Sequence, residues 1–419
     1  MNDEIQTFIK DQSFSLCSQN DIERGYLIGE SDGKYLIKKY YANSNNNVYI
    51  LDKNRSMRHE SLIRSDLFAS VKYNESIVIV DPEHSVYDLM KEKLQEEKYD
   101  IKVINMDFSE NRSDAGQKVS WNFMEAIKND PEAAVRISSN IIANTSSGRL
   151  DRFYQYSEQC LLAAIMIYVA KSGKIKEEKR NIFTVLNILK ECKEEDFDYL
   201  FFDCDVKEAE KYYELYKLET EMVDKNMIAG LLRNRFCHLP VNDVTENFFS
   251  KNTIDLKAPL KKKCAYFIVT SERNSACHFI WDLFVTEMME AWKNTEPKDA
   301  IMQVNLILDH FYCFGKIGEN HDGKDFVAFL QDCYKNNIRT TIVSESIVHM
   351  RMRYPGHFWH DIVAACPLKL VAGVGDQTSA IYVGRKTDKI TAEDLLCLDQ
   401  KQLLVFCKNS NFMVNKAII

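Results

Sequence analysis

The sequence predicts an α/β protein with a mostly parallel sheet and an inserted all-helical domain, and two observations lead there. Short β-branched runs end abruptly in a polar or turn residue and alternate with stretches of helical periodicity, as in a doubly wound sheet. From about Asp130 to Leu239 the strand pattern disappears and helical spacing alone remains.

The predicted strands are Val48–Leu51, Ile77–Val80, Ile101–Met106, Cys264–Thr270, Val304–Leu308, Arg339–Val343 and Leu368–Ala372. They are predominantly apolar, as strands covered on both faces must be. Helical patterns lie between most of them, at Glu60–Ser70, Val86–Glu97, Cys277–Trp292 and Phe326–Lys335. The insert is read as helices over Tyr154–Lys171, Asn181–Cys192 and Val206–Leu232, and the tail Gln402–Ile419 as one or two edge strands. Residues 1–46 are an N-terminal segment leading into the core, 47–129 and 240–419 the α/β domain, and 130–239 the insert.

Composition narrows the function. The 419 residues are 45% hydrophobic and 28% charged, which excludes a disordered or fibrous chain. Lys+Arg 54 against Asp+Glu 62 gives a net charge of −8, the wrong sign for a protein that coats nucleic acid, so DNA binding is expected to be weak, local or absent. The longest apolar run, Cys160 to Ala170, is far short of the ~18 residues that cross a bilayer, and the N-terminus lacks a signal pattern, so a cytoplasmic location is expected. The twelve cysteines include no Cys-x-x-Cys and read as reduced thiols.

A parallel sheet of this kind offers a phosphate site where its first strand turns into a helix, through the pattern G-x-x-x-x-G-K-[ST]. Here that stretch reads Asp52-Lys53-Asn54-Arg55-Ser56-Met57-Arg58-His59. Both glycines are replaced, by Asp52 and Met57; Arg58 stands at the lysine and His59 at the Mg²⁺-coordinating hydroxyl. The strand Val304–Leu308 ends in Asp309-His310 where hydrolysis needs Asp-Glu. Asp309 could still meet a metal, but the imidazole of His310 does not replace a carboxylate that orients water.

Other constellations are read as structural. His357-x-x-His360 lacks a third ligand by spacing, Cys237-His238 and Cys277-His278 diverge on any regular element, and Gly373-x-Gly375 suffices for a turn. Lys261-Lys262-Lys263 reads as a solvated turn, with a local DNA contact as the alternative.

From about Glu23 to Glu393 the chain resembles the TraG/TraD-type conjugative coupling proteins of type IV secretion systems. The resemblance rests on Gly29 to Tyr35 followed by Asn47-Val48; on Glu75 to Asp81-Pro82; on Tyr99 to Asn105; on Trp121-Asn122; on Leu306–Asp309 leading into Phe311 and Gly315-Lys316-Ile317; and on Arg353-Tyr354-Pro355 with Trp359. It implies a RecA-like, P-loop-type nucleotide-binding fold and a hexameric ATPase, with the insert as the family's all-α domain that receives relaxosome or effector cargo. The departures gather at the nucleotide site. Besides Asp52, Met57, Arg58 and His59, the Lys-Gly-Glu expected after Asp81-Pro82 is Glu83-His84-Ser85, the catalytic Glu is His310, the strand-end Gln is Glu345, and the basic positions before that strand read Tyr334-Lys335-Asn336. The expectation is a pseudo-ATPase with ATP and Mg²⁺ binding lost. It would serve as an adaptor or scaffold for type IV secretion or relaxosome proteins, an active coupling ATPase among them, through the insert. The chain starts where the family's cytosolic part begins, so the membrane-spanning segment is expected to be missing and recruitment to the membrane to depend on partners. The alternatives are a divergent ATPase using Arg58 and Asp309, and a DNA-binding module without turnover.

Overall fold

The computed structural model describes residues 9, 13–18, 23–31, 33–54, 59–82, 84–108, 119–146, 154–220, 225–237, 239–270, 278–311, 317, 324–388, 390–408 and 410–417. Within them the chain forms β1 (Phe14–Cys17), β2 (Gly25–Ser31), β3 (Lys34–Lys39), β4 (Val48–Asp52), β5 (Ser76–Asp81), β6 (Asp100–Asn105), β7 (Cys264–Val269), β8 (Val304–Leu308), β9 (Ile338–Ser344), β10 (Leu368–Gly373), β11 (Gln402–Cys407) and β12 (Ser410–Asn415). They build one sheet in the order β1-β3-β2-β12-β11-β10-β4-β9-β8-β5-β7-β6. The run from β10 to β6 is parallel and the flank from β1 to β11 antiparallel.

All seven predicted parallel strands are present, and their residues alternate between two apolar layers. Tyr49, Leu51, Val78, Val80 and Ile104 enter the layer that continues into the insert, while Val48, Ile50, Ile77 and Ile79 enter the layer on the opposite face. Burial on both sides removes the polar alternation from β4, β5, β7, β8 and β9, whereas β6, at the edge of the sheet, is mostly half-buried. Burial of this kind is worth ~1.5–3 kcal/mol for each large apolar side chain, so truncating one in the middle of the sheet is costly.

Two expectations are corrected. The tail strands are not at an edge: β11 pairs with β10, and β12 lies between β11 and β2. The segment before residue 47, for which no element was predicted, contributes three strands of the flank. Close approach at this seam depends on Gly29, because a Cβ there would lie 2.2 Å from the Asn415 carbonyl oxygen.

Under the parallel half, the helix Arg64–Lys72 is tied to β9 by ions. The Arg339 guanidinium, fully buried, donates to Asp66 at 2.9–3.1 Å and to Glu75 at 3.0 Å, and Arg24 donates to Glu75 from the rim at 3.0 Å. Asn305 on β8 also donates to Asp66, at 2.8 Å. Two carboxylates facing buried Arg339 satisfy the rule that a charge out of water must be paired and hydrogen-bonded.

The helical insert occupies the crossover between the parallel neighbours β6 and β7. Its helices are Met124–Asn129, Glu132–Thr145, Gln155–Lys171, Ile182–Glu191, Glu194–Phe202, Lys207–Glu219, Lys225–Arg235, Asp243–Phe249 and Ala258–Lys261. Helical structure therefore starts before residue 130 and continues past 239, and the stretch predicted as one helix over Val206–Leu232 is two. The apolar run Cys160–Ala170 is buried at every residue because Gln155–Lys171 is the central helix of this bundle, surrounded by its neighbours. Arg235 clamps the bundle from inside, with Nη2 to buried Glu158 at 2.5 Å. Arg136 makes a bidentate pair to Glu287, at 2.9 and 3.0 Å, that joins the bundle to the helix His278–Lys293, which packs on the insert's face of the sheet, opposite the helix Arg64–Lys72. Among the described residues no helix is long and apolar enough to cross a membrane.

Candidate functional site: the carboxyl ends of the central strands

In an open parallel sheet, ligands bind outside the carboxyl ends of the strands. Here β4 ends in Asp52, β8 leads into Asp309-His310, β9 leads into Glu345, and β10 ends at Gly373. Parallel registry between β4 and its neighbours β9 and β10, and between β8 and β9, brings these ends to one side of the sheet.

Asp52 is buried completely. Its Oδ1 accepts the Asn54 backbone N–H at 2.8 Å, and its Oδ2 lies 3.9 Å from the Lys416 ammonium, itself buried and donating to the Ala372 carbonyl at 3.2 Å. Burial pushes the Lys416 amine below its ordinary value, and the Asp52 charge opposes that shift. Gly373 lets β10 close on this turn: its carbonyl accepts the Lys53 N–H at 3.2 Å, and a Cβ there would lie 3.2 Å from Asp52 Oδ1. The carboxylate thus holds the Asn54 amide at the mouth of the turn that follows β4.

Asp309 and His310 are also buried. Asp309 Oδ1 accepts the His310 N–H at 2.9 Å and Oδ2 lies 3.3 Å from His310 Nδ1, while His310 Nε2 is 3.3 Å from Glu345 Oε1. The backbone at His310 has φ of 53°, in the left-handed region that few non-glycine residues adopt, and this turns the imidazole across the strand ends. On β9, Ser344 Oγ is 2.7 Å from the Tyr49 hydroxyl of β4. One residue beyond Glu345, Ser346 donates to Asp376 at 2.7 Å, and Ser379 donates to the same carboxylate through hydroxyl and amide. These donors hold the Asp376 carboxyl below its ordinary value against the opposing effect of burial.

Of the sequence-predicted positions, Asp309, His310 and Glu345 meet directly, and Asp52 stands apart on β4 with Lys416. Met57 and Arg58 lie outside the described residues, and His59 opens a π-helical turn, His59–Ile63, ahead of the helix Arg64–Lys72. Asp81, at the end of β5, accepts the Tyr87 N–H at 2.8 Å and so fixes the start of the helix Ser85–Glu96. Lys335 is engaged by Asp332 at 2.7 Å, and Asn336 donates to the Trp292 carbonyl at 2.8 Å. Sequence reasoning missed Lys416 and Asp376. Nothing in the tail marks Lys416, whereas Asp376 sits three residues before Ser379 in an N-cap pattern.

The other constellations behave structurally. Lys262 pairs with Asp100 at 2.6 Å and Lys263 donates to the Glu97 carbonyl at 2.6 Å, so two of the three lysines of the basic run are committed within the protein. His357 is exposed near Asp361, and His360 packs on Trp359 with ring centres 3.7 Å apart. No group of three or more His, Cys, Asp or Glu residues placed to hold a metal occurs among the described residues.

The structure is similar to that of TrwBdeltaN70, a bacterial conjugative coupling protein in complex with sulphate, with a TM-score of 0.68 and 12% identity over 97% of this chain and 94% of the other. It is similar also to TrwB in complex with ADP and Mg²⁺ (TM-score 0.67, 13% identity, 97% and 94% of the two chains). A third match is VirB4 of Thermoanaerobacter pseudethanolicus, with a TM-score of 0.59 and 13% identity over 95% of this chain and 97% of that one. These likenesses establish the RecA-like, P-loop-type fold. No curated protein sequence matches the chain. The family model for type IV secretory system conjugative DNA transfer matches residues 66–412, most of the sequence, and the chain belongs to that family.

Proposed function

We propose that this family member has given up nucleotide binding and hydrolysis and works as an adaptor or scaffold in a conjugative or type IV secretion system. The observation that carries this reading is the buried Asp52 carboxylate at the end of β4, paired with Lys416 and holding the Asn54 amide. A polyphosphate arriving there would meet a fixed negative charge, and desolvating both charges against each other is strongly unfavourable. The donor set at the neighbouring strand ends fits a Mg²⁺–nucleotide poorly as well. Asp309 and Glu345 both turn toward the His310 imidazole, which stands where the resemblance expects a water-orienting Glu.

The remaining role is recognition. The helical bundle between β6 and β7, in the position of the family's all-α domain, is the surface proposed for secretion or relaxosome proteins, an active coupling ATPase among them. DNA is a weak ligand on this reading, given the net charge of −8 and the internal pairing of Lys262 and Lys263. Calorimetric titration of ATP with Mg²⁺ into the purified protein tests the first half: no saturable heat is expected, and saturable binding abolished by Arg58→Ala would sink it. Affinity capture from a cell carrying a conjugative system tests the second, with recovery of secretion components expected for the whole chain.

A further inference from the structure

We propose that the outer face of the helix Glu194–Phe202, in the insert, docks a basic amphipathic segment of a partner protein through Tyr199 and Phe202. This docking face rests on the adaptor role proposed for the chain, and it specifies where the bundle makes contact and the chemistry of what it meets.

The helix is aromatic on two sides. Phe197 and Phe201, four residues apart, are buried, and Phe201 stacks on Tyr213 with ring centres 4.3 Å apart and meets Tyr168 edge-on at 6.2 Å. That side fixes the helix to the bundle, and a surface helix needs no second apolar side. Yet Tyr199 and Phe202, three residues apart and so neighbours along the other side, are 76% and 90% accessible. They are the two most exposed large hydrophobic side chains among the described residues. Single exposed apolar residues need no explanation, but two bare aromatic rings together on one short helix make a contact surface.

Charge selects the occupant. Residues 191–210 hold nine Asp and Glu against two Lys, a balance of −7 in a chain whose total is −8. Two of the nine pair with lysines from outside this stretch, Asp203 with Lys174 at 2.7 Å and Glu208 with Lys171 at 2.6 Å. Asp198, four residues before Phe202, accepts from the Tyr213 hydroxyl at 2.9 Å, and Asp196 accepts the Lys193 N–H at 2.7 Å. Asp205 accepts from the Ser172 hydroxyl at 2.6 Å and the Gly173 N–H at 2.7 Å. These last donors are neutral, so they orient the carboxylates and leave their charge in place. Glu195, four residues before Tyr199, is exposed. The rings are thus set in a negative field, which repels DNA phosphates, anionic lipid headgroups and the same face of a second copy. A segment carrying apolar residues and Lys or Arg at helical spacing fits both features. Its apolar side covers the rings, while its cations meet the carboxylates and the face of Tyr199.

The test follows, by fluorescence anisotropy, a labelled amphipathic peptide of leucine and lysine, about 14 residues long and so able to span this helix of roughly 13 Å, titrated with the purified full chain. Saturable binding is expected, weakened by added salt and weakened about tenfold or more by Phe202→Ser and by Tyr199→Ser. Met352→Ser, which removes another exposed apolar side chain, 75% accessible and outside the insert, is expected to change nothing. The matching leucine and glutamate peptide is expected not to bind. Because the substituted side chains are exposed, all three variants should unfold at the parent's urea midpoint, which separates loss of the face from loss of the fold. No saturation, equal binding of the glutamate peptide, an equal loss in Met352→Ser, or affinity untouched by both helix substitutions would each overturn the proposal. So would a dimer of the parent chain that Phe202→Ser dissolves, since a second copy would then occupy the face. Secretion components captured equally by the parent and by Phe202→Ser would overturn this docking face and leave the adaptor role standing, and the peptide titration decides the face even where capture recovers nothing.

Discussion

His310 Nε2 and Glu345 Oε1 lie 3.3 Å apart, so the residues that follow β8 and β9 are in contact with each other. An imidazole between the carboxylates of Asp309 and Glu345 forms a polar bridge across the strand ends, and a glutamate placed at 310 would set three carboxylates side by side.

That contact makes the two positions energetically coupled. His310→Glu alone is expected to lower unfolding stability by ~2–3 kcal/mol, and His310→Glu with Glu345→Gln to recover at least ~1 kcal/mol of the loss. A double-mutant cycle by urea denaturation measures the coupling, and additive losses would refute it.

Arg339 is the hub of the ion cluster below the sheet. Arg339→Met is expected to cost ~3–5 kcal/mol because it leaves Asp66 and Glu75 buried without their shared cation. Adding Asp66→Asn to that variant should return part of the stability, which equilibrium unfolding of both variants would show.

The Arg136–Glu287 pair is a charged tie between the bundle and the helix His278–Lys293 on the same face of the sheet. Arg136→Ala is expected to weaken that tie by ~2 kcal/mol and to speed amide exchange in the helix Glu132–Thr145, with little change in β5 and β7. Peptide-level hydrogen exchange reads both regions at once, and uniform acceleration across the chain would contradict a local tie.

Asp376 links stability to acid. Its carboxyl titrates below the unfolded-chain value of 3.8 in the folded protein, so its contribution is present in full above that value. It is lost as pH falls through the lower folded value. Asp376→Asn should therefore reduce stability at neutral pH and flatten the acid limb of the stability curve, as urea midpoints between about pH 2.5 and 7 would reveal.

The parallel strands were legible because burial on both faces writes uninterrupted β-branched runs such as Ser76-Ile77-Val78-Ile79-Val80. The antiparallel flank was not, since strands such as β3, Lys34-Tyr35-Leu36-Ile37-Lys38-Lys39, keep lysines toward the rim and read as surface. At the strand ends, Asp52, Asp309, His310 and Glu345 could be placed from the runs they terminate. What stands beside them depends on distant chain. Lys416 reaches Asp52 only because β11 and β12 enter the sheet next to β10, and no local pattern encodes a long-range neighbour. The separation of Val206–Leu232 into two helices was equally hidden, because both segments keep the same apolar face toward Gln155–Lys171.

The seam between β2 and β12 also bears on how the molecule is made. β1, β2 and β3 leave the ribosome long before residues 410–415, yet among the described residues their strand pairing to the main sheet passes through β12. Throughout translation of the intervening chain this hairpin-like unit exposes an unpaired edge, the state in which strands recruit foreign partners. Joining of the flank to the main sheet therefore waits for residues 410–415. A nascent chain arrested before residue 402 should hold a protease-sensitive N-terminal region beside an already protected parallel core.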